Sequence, residues 1–359
     1  MTTGPHAENE PTSPRSRLNV DEQERITNDA VNAKGQKPFL ERPLQSIAMF
    51  IWPVLLPLCV CIFCLLCSIP PLWPLIIPYV IWMRLDTAPE TGGRRFGWLR
   101  RLPLWRWYCE YFPIKLVKTA EIPPTDTYLF AYHPHGIVGL SAVGGFGTEG
   151  AGFAKTFPGI RMHVLTLASN FKLPLYRDFL LGMGFCSVSN RSCTNILSGK
   201  AGNAITIVIG GAHESLRARP GYMDLTLKRR LGFVRIAMQT GSKLVPVLAF
   251  GENDMYEQME NYDGSLLYHC QVKFKEFFRW TMPMFVGRGL THRNLGWMPY
   301  MRPVHIVVGA PLEMPHVAQP TREQLIENQD RYINALFDLW NRYKDEYMPA
   351  RFDEMRIVE

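Results

Sequence analysis

The sequence predicts an α/β fold in which a mostly parallel sheet with covering helices follows a membrane-embedded hairpin near the N-terminus. Residues 43–83 contain no charged side chain. After them, short runs rich in β-branched and aromatic residues alternate with helical stretches, a pattern typical of parallel strands joined by helices. A chain of 359 residues with 47% hydrophobic side chains is large and apolar enough to bury a sizeable core.

The first segment, residues 1–38, is rich in Asn, Glu, Thr, Pro and Ser. It has no apolar stretch that would serve as the core of a signal peptide, and its composition does not support a packed core. We therefore expect a disordered tail.

The uncharged run at 43–83 is too long for a single membrane-spanning helix, which needs about 20 residues. Proline removes a helical donor and disfavours helix at the residue before it, so the prolines around 68–74 predict a bend there. The second arm, 72–83, is short for a full crossing, which favours a re-entrant hairpin or a distorted second helix. A buried core hairpin of a soluble protein is the alternative.

Both ends of the hairpin are flanked by basic residues, which are typical of the cytosolic side of a membrane. These are Lys37 and Arg42 before the run, and Arg84, Arg94, Arg95, Arg100, Arg101 and Arg106 after it. We therefore expect both ends on the cytosolic side.

Residues 84–359 are predicted to form a single α/β domain. Apolar runs bounded by Gly, Pro or polar residues predict strands at 127–132, 162–167, 204–209, 244–250 and 304–308. Helical spacing predicts helices at 175–182, at 232–240, and from a capping box at Thr321 and Gln324 to about Tyr347.

The formal net charge of +7 suits nucleic acid, an anionic membrane surface or a polyanionic small molecule. No recognised nucleic-acid-binding module accompanies the charge, so we expect no nucleic-acid partner. The eight cysteines show neither a paired spacing nor a zinc pattern, so we expect no disulfide framework and no metal site.

The strand at 127–132 runs directly into His133, Pro134, His135 and Gly136. Ligands of α/β proteins bind at the carboxyl ends of strands, and glycine lets the backbone approach a ligand closely. An imidazole at this place can act as a general base near neutral pH. Two histidines at a strand end also begin the site of a metal-dependent hydrolase, and that alternative stays open here.

The strand at 204–209 is followed by a second polar turn, GGAHES at 210–215, in which Glu214 can orient His135. We expect structural roles for His213 and His305. A basic cluster downstream suits the phosphates of a polyanionic substrate, with a solvated helix face as the alternative for its last three members. The cluster consists of Arg217, Arg219, Lys228, Arg229 and Arg230.

HPHG, GGAHES and the long motif at 227–254 together resemble the type-2 diacylglycerol acyltransferase family, which also includes monoacylglycerol and wax-ester acyltransferases. The segments at 111–119 and 302–312 agree with this resemblance. Taken singly the motifs are modest, but jointly and in this order they are highly specific.

The resemblance implies an acyl-CoA-dependent diacylglycerol O-acyltransferase of the endoplasmic reticulum that also reaches lipid droplets, with cytosolic termini. It implies acyl-CoA and diacylglycerol as substrates, no further cofactor, and a homodimer as one assembly. Catalysis is assigned to His135 with Glu214 as its partner and His133 beside them. The wider phospholipid acyltransferase superfamily places aspartate five positions after its histidine, where this chain has Val138 or Leu140.

The mechanism we expect is direct transfer, in which neutral His135 removes a proton from the acceptor hydroxyl while that oxygen attacks the thioester. Backbone N–H groups around Gly136 or Gly211 would bind the developing oxyanion. An aromatic and basic segment at 272–297 is predicted to lie at the membrane interface, or else to be ordinary domain surface. Rival functions are transfer to monoacylglycerol or a fatty alcohol, metal-dependent lipid hydrolysis, and a non-catalytic lipid-droplet protein.

Overall fold

The computed structural model describes residues 41–258, 273, 285–289 and 296–358. The predicted tail at 1–38 lies outside the described residues. Most of the predicted interfacial segment at 272–297 lies outside them as well.

The described helices confirm the sequence predictions where these were made. The predicted helix at 232–240 is present with those bounds, the one at 175–182 is displaced by one residue, and the capping box at Thr321 forms in full. The helices are α1 Glu41–Cys67, α2 Trp73–Leu85, α3 Gly97–Arg100, α4 Pro103–Tyr111, α5 Leu140–Ala142, α6 Phe153–Thr156, α7 Tyr176–Met183, α8 Asn190–Leu197, α9 Gly211–Glu214, α10 Gly232–Thr240 and α11 Arg322–Tyr347. α5 continues as a π-helical turn, Val143–Gly147.

A seven-stranded sheet forms the centre, in the order β1-β10-β7-β2-β5-β3-β4. Its strands are β1 Ile114–Lys118, β2 Tyr128–His133, β3 Arg161–Thr166, β4 Cys186–Ser187, β5 Asn203–Val208, β7 Lys243–Phe250 and β10 Val304–Val308. Short outlying pairs are β6 Asp224–Leu225 with β11 Arg356–Ile357, and β8 Glu257–Gln258 with β9 Phe285–Val286. Every predicted strand is confirmed, whereas β1 and the two-residue β4 were not predicted.

The sheet is mostly parallel, as predicted. β2 pairs in parallel with both β5 and β7, and β3 pairs in parallel with β5 and β4. β10 runs antiparallel to β7, and β1 pairs in parallel with β10. The strands that carry the polar turns therefore all end at the same edge of the sheet.

Strand β2 shows how the sheet separates two hydrophobic layers, because successive side chains of a strand point to opposite faces. Tyr128, Phe130 and Tyr132 belong to a core cluster that also contains side chains of α1, α4 and α5. Leu129 and Ala131 belong to a second cluster with side chains of α8, α10 and α11. The turn after β2 lies between these two layers.

The two N-terminal helices form a helical hairpin, and its bend lies where the sequence predicted it. α1 and α2 are separated by a short 3₁₀ turn, Pro70–Leu72. Among the described helices only α1, over Pro43–Cys67 with a mean hydropathy of 2.7, is long and apolar enough to cross a membrane. Apolar side chains on both helices are exposed, for example Leu65 (64%) and Leu75 (73%). This exposure contradicts the alternative of a buried core hairpin.

Ionic contacts around the buried Arg177 side chain connect the end of α2 with α7. Asp86 follows α2 directly, and its carboxylate lies 2.5 Å from Arg177 Nη2 and 2.7 Å from Arg94 Nη2. Both guanidinium groups also lie over the Trp82 ring, at 5.2 and 4.7 Å from its centroid. The Tyr79 hydroxyl of α2 donates to Asp178 Oδ2 at 2.5 Å. These contacts fix α2 to α7.

One of the predicted cytosolic arginines does not face solvent. Arg100 is buried and donates to the carbonyl oxygens of Met183 and Phe146, at 2.8 Å in both cases. Burial lowers its pKa to about 10, so it stays charged at neutral pH. Arg100 therefore connects two main-chain segments inside the protein and does not belong to an exposed basic flank of the hairpin.

Candidate active site

Three neighbouring parallel strands end side by side, and a polar turn follows each of them. β2 lies between β5 and β7, with Tyr132 paired to Val208 and His133 to Leu248. The turns after β2, β5 and β7 carry His135, Glu214 and Glu252 respectively. Because parallel strands end at one edge, these side chains converge there.

His135 is half-buried, and its geometry suits a general base. Its Nδ1 lies 3.1 Å from the carbonyl oxygen of Gly136. A carbonyl only accepts hydrogen bonds, so Nδ1 carries the proton and Nε2 keeps a free lone pair. Burial lowers the pKa of His135 below its ordinary value of 6.5, although the bond to Gly136 acts in the opposite direction. The imidazole is therefore neutral at pH 7, and its Nε2 can accept a proton.

Glu214 contacts the main chain of His135. The carboxyl is 2% exposed, and its Oε1 accepts from the His135 backbone N–H at 2.5 Å. Its Oε2 accepts from the backbone N–H of Thr226 at 2.9 Å. The sequence predicts that Glu214 orients the imidazole, whereas the observed bond fixes the main chain that carries it. Burial raises the pKa of Glu214 to about 7, against the effect of the two N–H donors.

His133 has different surroundings from His135, although both were predicted to serve the chemistry. Its Nε2 lies 3.0 Å from the Tyr332 hydroxyl of α11, and that hydroxyl donates to the Ala131 carbonyl at 3.1 Å. Nε2 therefore donates to Tyr332, and the buried Nδ1 has no hydrogen-bond partner among the described residues. Burial lowers the pKa of His133 to about 3. The alternation of β2 turns this side chain beneath α11, where it fits a packing role.

The glycines predicted at the two turns have the left-handed backbone that favours glycine. Gly136 has a φ of 59° and Gly211 a φ of 60°. Gly210 is required for a steric reason, because a Cβ at this position would lie 2.2 Å from Glu214 Cδ. Binding of an oxyanion by these turns stays a prediction.

A second buried carboxyl, Glu252, was missed by the sequence analysis. It is 2% exposed, and its Oε2 accepts from the Ser141 backbone N–H at 3.2 Å and from the Ser141 hydroxyl. Burial raises its pKa to about 8. Gly251 and Glu252 after β7 repeat the order of strand, glycine and acid seen after β5, and this repetition was available to find it.

Comparisons with known proteins agree with the resemblance carried by these turns. The model of a family described as "Diacylglycerol acyltransferase" matches residues 64–355. The chain belongs to this family. Diacylglycerol O-acyltransferase 1 of Schizosaccharomyces pombe is 47% identical over 88% of this chain and 91% of its own length. Diacylglycerol O-acyltransferase 2B of Umbelopsis ramanniana is 46% identical over 89% and 93%.

A relative that is named for a different acceptor is also similar. Acyl-CoA wax alcohol acyltransferase 1 of Mus musculus is 39% identical over 86% of this chain and 92% of its own length. The protein is therefore an acyltransferase, as predicted.

Two members of the predicted basic cluster of the acyltransferase contact the turn that carries Glu214. Arg230 Nη2 donates to the Gly210 carbonyl at 3.3 Å, and the Arg217 backbone N–H donates to the Glu214 carbonyl at 2.9 Å. The remaining members, Arg219, Lys228 and Arg229, are exposed. Lys228 and Arg229 lie in a turn before α10, so the alternative of a helix face does not apply.

Structural roles were predicted for His213 and His305, and the structure describes the side chain of only one of them. His305 stacks on the Tyr347 ring at 4.3 Å between centroids, which fits a structural role. The backbone of His213 lies in α9, and its side chain is outside the described part of the structure.

Gly210→Ala should lower both activity and stability. The added methyl would displace the Glu214 carboxyl from the His135 and Thr226 N–H groups, each of which costs about 1–3 kcal/mol when buried without a partner. The melting temperature and the rate of acyl transfer in detergent measure this loss. Gly232→Ala is the matched control, since nothing lies within 4 Å of its added Cβ. Equal behaviour of the two variants would contradict the importance of the Glu214 contact.

Proposed function

We propose that this acyltransferase makes triacylglycerol by moving the acyl group of acyl-CoA directly onto the hydroxyl of diacylglycerol, with His135 as general base. One observation carries the proposal. The Nδ1–H of His135 is held by the Gly136 carbonyl, so a neutral, half-buried imidazole presents Nε2 as its basic nitrogen.

In the proposed reaction, Nε2 of His135 takes the proton of the diacylglycerol hydroxyl while that oxygen attacks the thioester carbonyl carbon. The tetrahedral oxyanion accepts hydrogen bonds from backbone N–H groups of the turns around Gly136 or Gly211. Collapse forms the ester and breaks the carbon–sulfur bond. The proton on the imidazolium then passes to the departing CoA sulfur, and no covalent acyl-enzyme is needed.

Glu214 supports this reaction in two ways. Its hydrogen bond to the His135 backbone holds the turn in position. When ionised, its negative charge also favours the imidazolium formed after proton transfer. His133 serves as a packing residue beneath α11 in this proposal.

Acyl-CoA is the only small molecule the proposal requires beyond the acceptor. CoA carries several phosphates, and Arg or Lys side chains are their usual partners. Arg230 contacts the Gly210 carbonyl, which places positive charge beside the catalytic edge. The exposed Arg219, Lys228 and Arg229, with Arg217, would extend this charge toward solvent.

Diacylglycerol stays in a bilayer, so we propose that the hairpin at 43–83 inserts into the membrane of the endoplasmic reticulum, with lipid droplets as a second location. Exposed apolar side chains on both helices support insertion, because water-soluble surfaces rarely carry such patches. They include Leu58, Ile62, Leu65, Trp73, Leu75, Ile77 and Ile81. The proposed organisation is a cytosolic tail at 1–38, this hairpin, and a cytosolic catalytic domain at 84–359 that can form a homodimer.

Acyl transfer by the purified protein in liposomes tests the function. Labelled acyl-CoA is offered with diacylglycerol, monoacylglycerol and fatty alcohol, each with and without a chelator. We expect predominant triacylglycerol that survives chelation. Predominant wax ester or diacylglycerol would keep the chemistry but change the acceptor. Chelator-sensitive release of free fatty acid would overturn the proposal in favour of a metal-dependent hydrolase.

A further inference from the structure

We infer that Glu252 is a positioning residue of the transfer site, holding the turn after β2 from the side opposite to Glu214. This inference deepens the function proposed above and rests on it, because Glu252 is assigned its role through the turn that carries His135. Three features of the structure support it: the path of the chain into Glu252, the contacts of its carboxyl, and the symmetry of the two acids about β2.

The chain is bent so that Glu252 faces β2. Gly251 has a φ of 96°, and a Cβ there would lie 2.3 Å from the Pro303 carbonyl oxygen. Only glycine fits this close approach and this backbone region. The glycine therefore serves to turn the next residue back toward the neighbouring strand, into a site where its side chain is almost completely buried.

The carboxyl of Glu252 contacts both ends of the loop between β2 and α5. At the near end, a Cβ added to Gly136 would lie 2.7 Å from Glu252 Cγ and 2.9 Å from its Oε1. At the far end, Oε2 accepts from the backbone N–H and hydroxyl of Ser141. The Ser141 hydroxyl also lies 2.5 Å from the Tyr132 hydroxyl of β2, which closes a chain of contacts around the loop.

The two acids hold this loop from opposite sides. Glu214 comes from the turn after β5 and binds the His135 backbone, while Glu252 comes from the turn after β7 and packs on Gly136. β2 lies between those two strands. The carbonyl that fixes the His135 tautomer belongs to Gly136, so displacement of this glycine would disturb the general base directly.

Burial favours the neutral form of the Glu252 carboxyl, and its pKa of about 8 means that it ionises only as the pH rises past neutrality. The titratable groups that face it are Tyr108 of α4, Tyr132 of β2 and Tyr256. The pKa of each is raised by burial above its ordinary value of 10, so they stay neutral while Glu252 titrates. His135 has a lowered pKa and is neutral over the same range.

The test compares Glu252→Ala, Glu252→Gln and wild type, using acyl-CoA with diacylglycerol in liposomes. We expect Glu252→Ala to lower kcat on the order of 10- to 100-fold with little change in KM, because misplacement of a catalytic group affects the chemical step. Glu252→Gln keeps the shape and one acceptor oxygen and should retain a larger share of kcat. Glu327→Gln changes an exposed glutamate on α11 and is the matched control.

A pH series provides a readout that a purely structural role would not move. Ionisation of Glu252 would put a charge into a buried site against Gly136, at a cost that displaces this turn, so wild-type activity should fall as the pH rises. Glutamine at this position cannot ionise. The ratio of Glu252→Gln to wild-type kcat should therefore rise at least about threefold between about pH 7 and pH 9.5. A flat ratio together with a Glu252→Gln kcat equal to that of wild type throughout would overturn the inference, even if Glu252→Ala does not fold.

The other outcomes separate this inference from the function on which it rests. Wild-type transfer together with a Glu252→Ala kcat within about twofold of wild type would overturn the positioning role alone. A wild-type protein that transfers no acyl group would overturn the proposed function instead.

Discussion

His135→Ala is expected to reduce triacylglycerol formation on the order of 1,000-fold, since a positioned general base contributes about 10²- to 10⁴-fold. The loss should appear in kcat, because the imidazole acts on the proton that moves during attack. His135→Gln should be equally impaired, as an amide can accept a hydrogen bond but cannot take up the proton. Both variants should still bind liposomes and melt as the wild type does.

His316→Ala is the matched control for these variants. His316 is exposed and lies beside Gly241, away from the three polar turns. Its removal should leave the rate unchanged. A folded, membrane-bound His135→Ala protein with near-normal transfer would rule out the proposed mechanism, while the membership of the family would stand.

Asp86→Asn is expected to give the largest loss of stability, about 3 kcal/mol, because it removes the nearer carboxylate of the buried Arg177 side chain and leaves only Asp178, at 3.4 Å. The Arg177 side chain is 0% exposed and lies 2.5 Å from Asp86 Oδ2. Asparagine keeps the shape of the side chain but not its charge. Thermal unfolding in detergent measures the change, and Asp330→Asn, at an exposed position on α11, is the control.

The pH dependence gives the Asp86 prediction a second readout. Burial acts to raise the pKa of Asp86, but the hydrogen bonds from Arg177 and Arg94 outweigh it, so the pKa lies below its ordinary value of 3.8. A lowered pKa contributes stability that is present above the ordinary value and lost as the pH falls through the folded value. The gap between wild type and Asp86→Asn should therefore narrow below pH 3.8. Equal melting of the two proteins at neutral pH would contradict the prediction.

Much of the architecture could be predicted because it depends on local patterns. The apolar runs that became β2, β5 and β7 are rich in β-branched or aromatic residues and end at glycine, proline or polar residues. The capping box at Thr321 and the prolines between α1 and α2 likewise act within a few residues. The two-residue β4 escaped prediction because so short a strand has no period of its own.

In the candidate site as well, features that depend on local patterns could be predicted, and features that depend on distant contacts could not. The sequence led us to propose His135 and Glu214 because each follows a strand in a polar turn, and parallel strands end at one edge. The route of their contact was not predictable, since Glu214 binds the backbone of His135 and leaves the imidazole to Gly136. Glu252 required knowledge that β7 is the other neighbour of β2, which is a property of the sheet order.

The sequence by itself determined the uncharged hairpin with its bend, the strands and their polar turns, and the resemblance to an acyltransferase family, because these depend on composition and spacing along the chain. Only the tertiary structure decided that His133 is hydrogen-bonded to Tyr332 and that Arg100 is buried and bound to main-chain carbonyls. It also decided that two buried carboxyls hold the turn after β2. Burial and hydrogen-bond partners set the pKa and the role of each of these groups, and both come from residues distant in sequence.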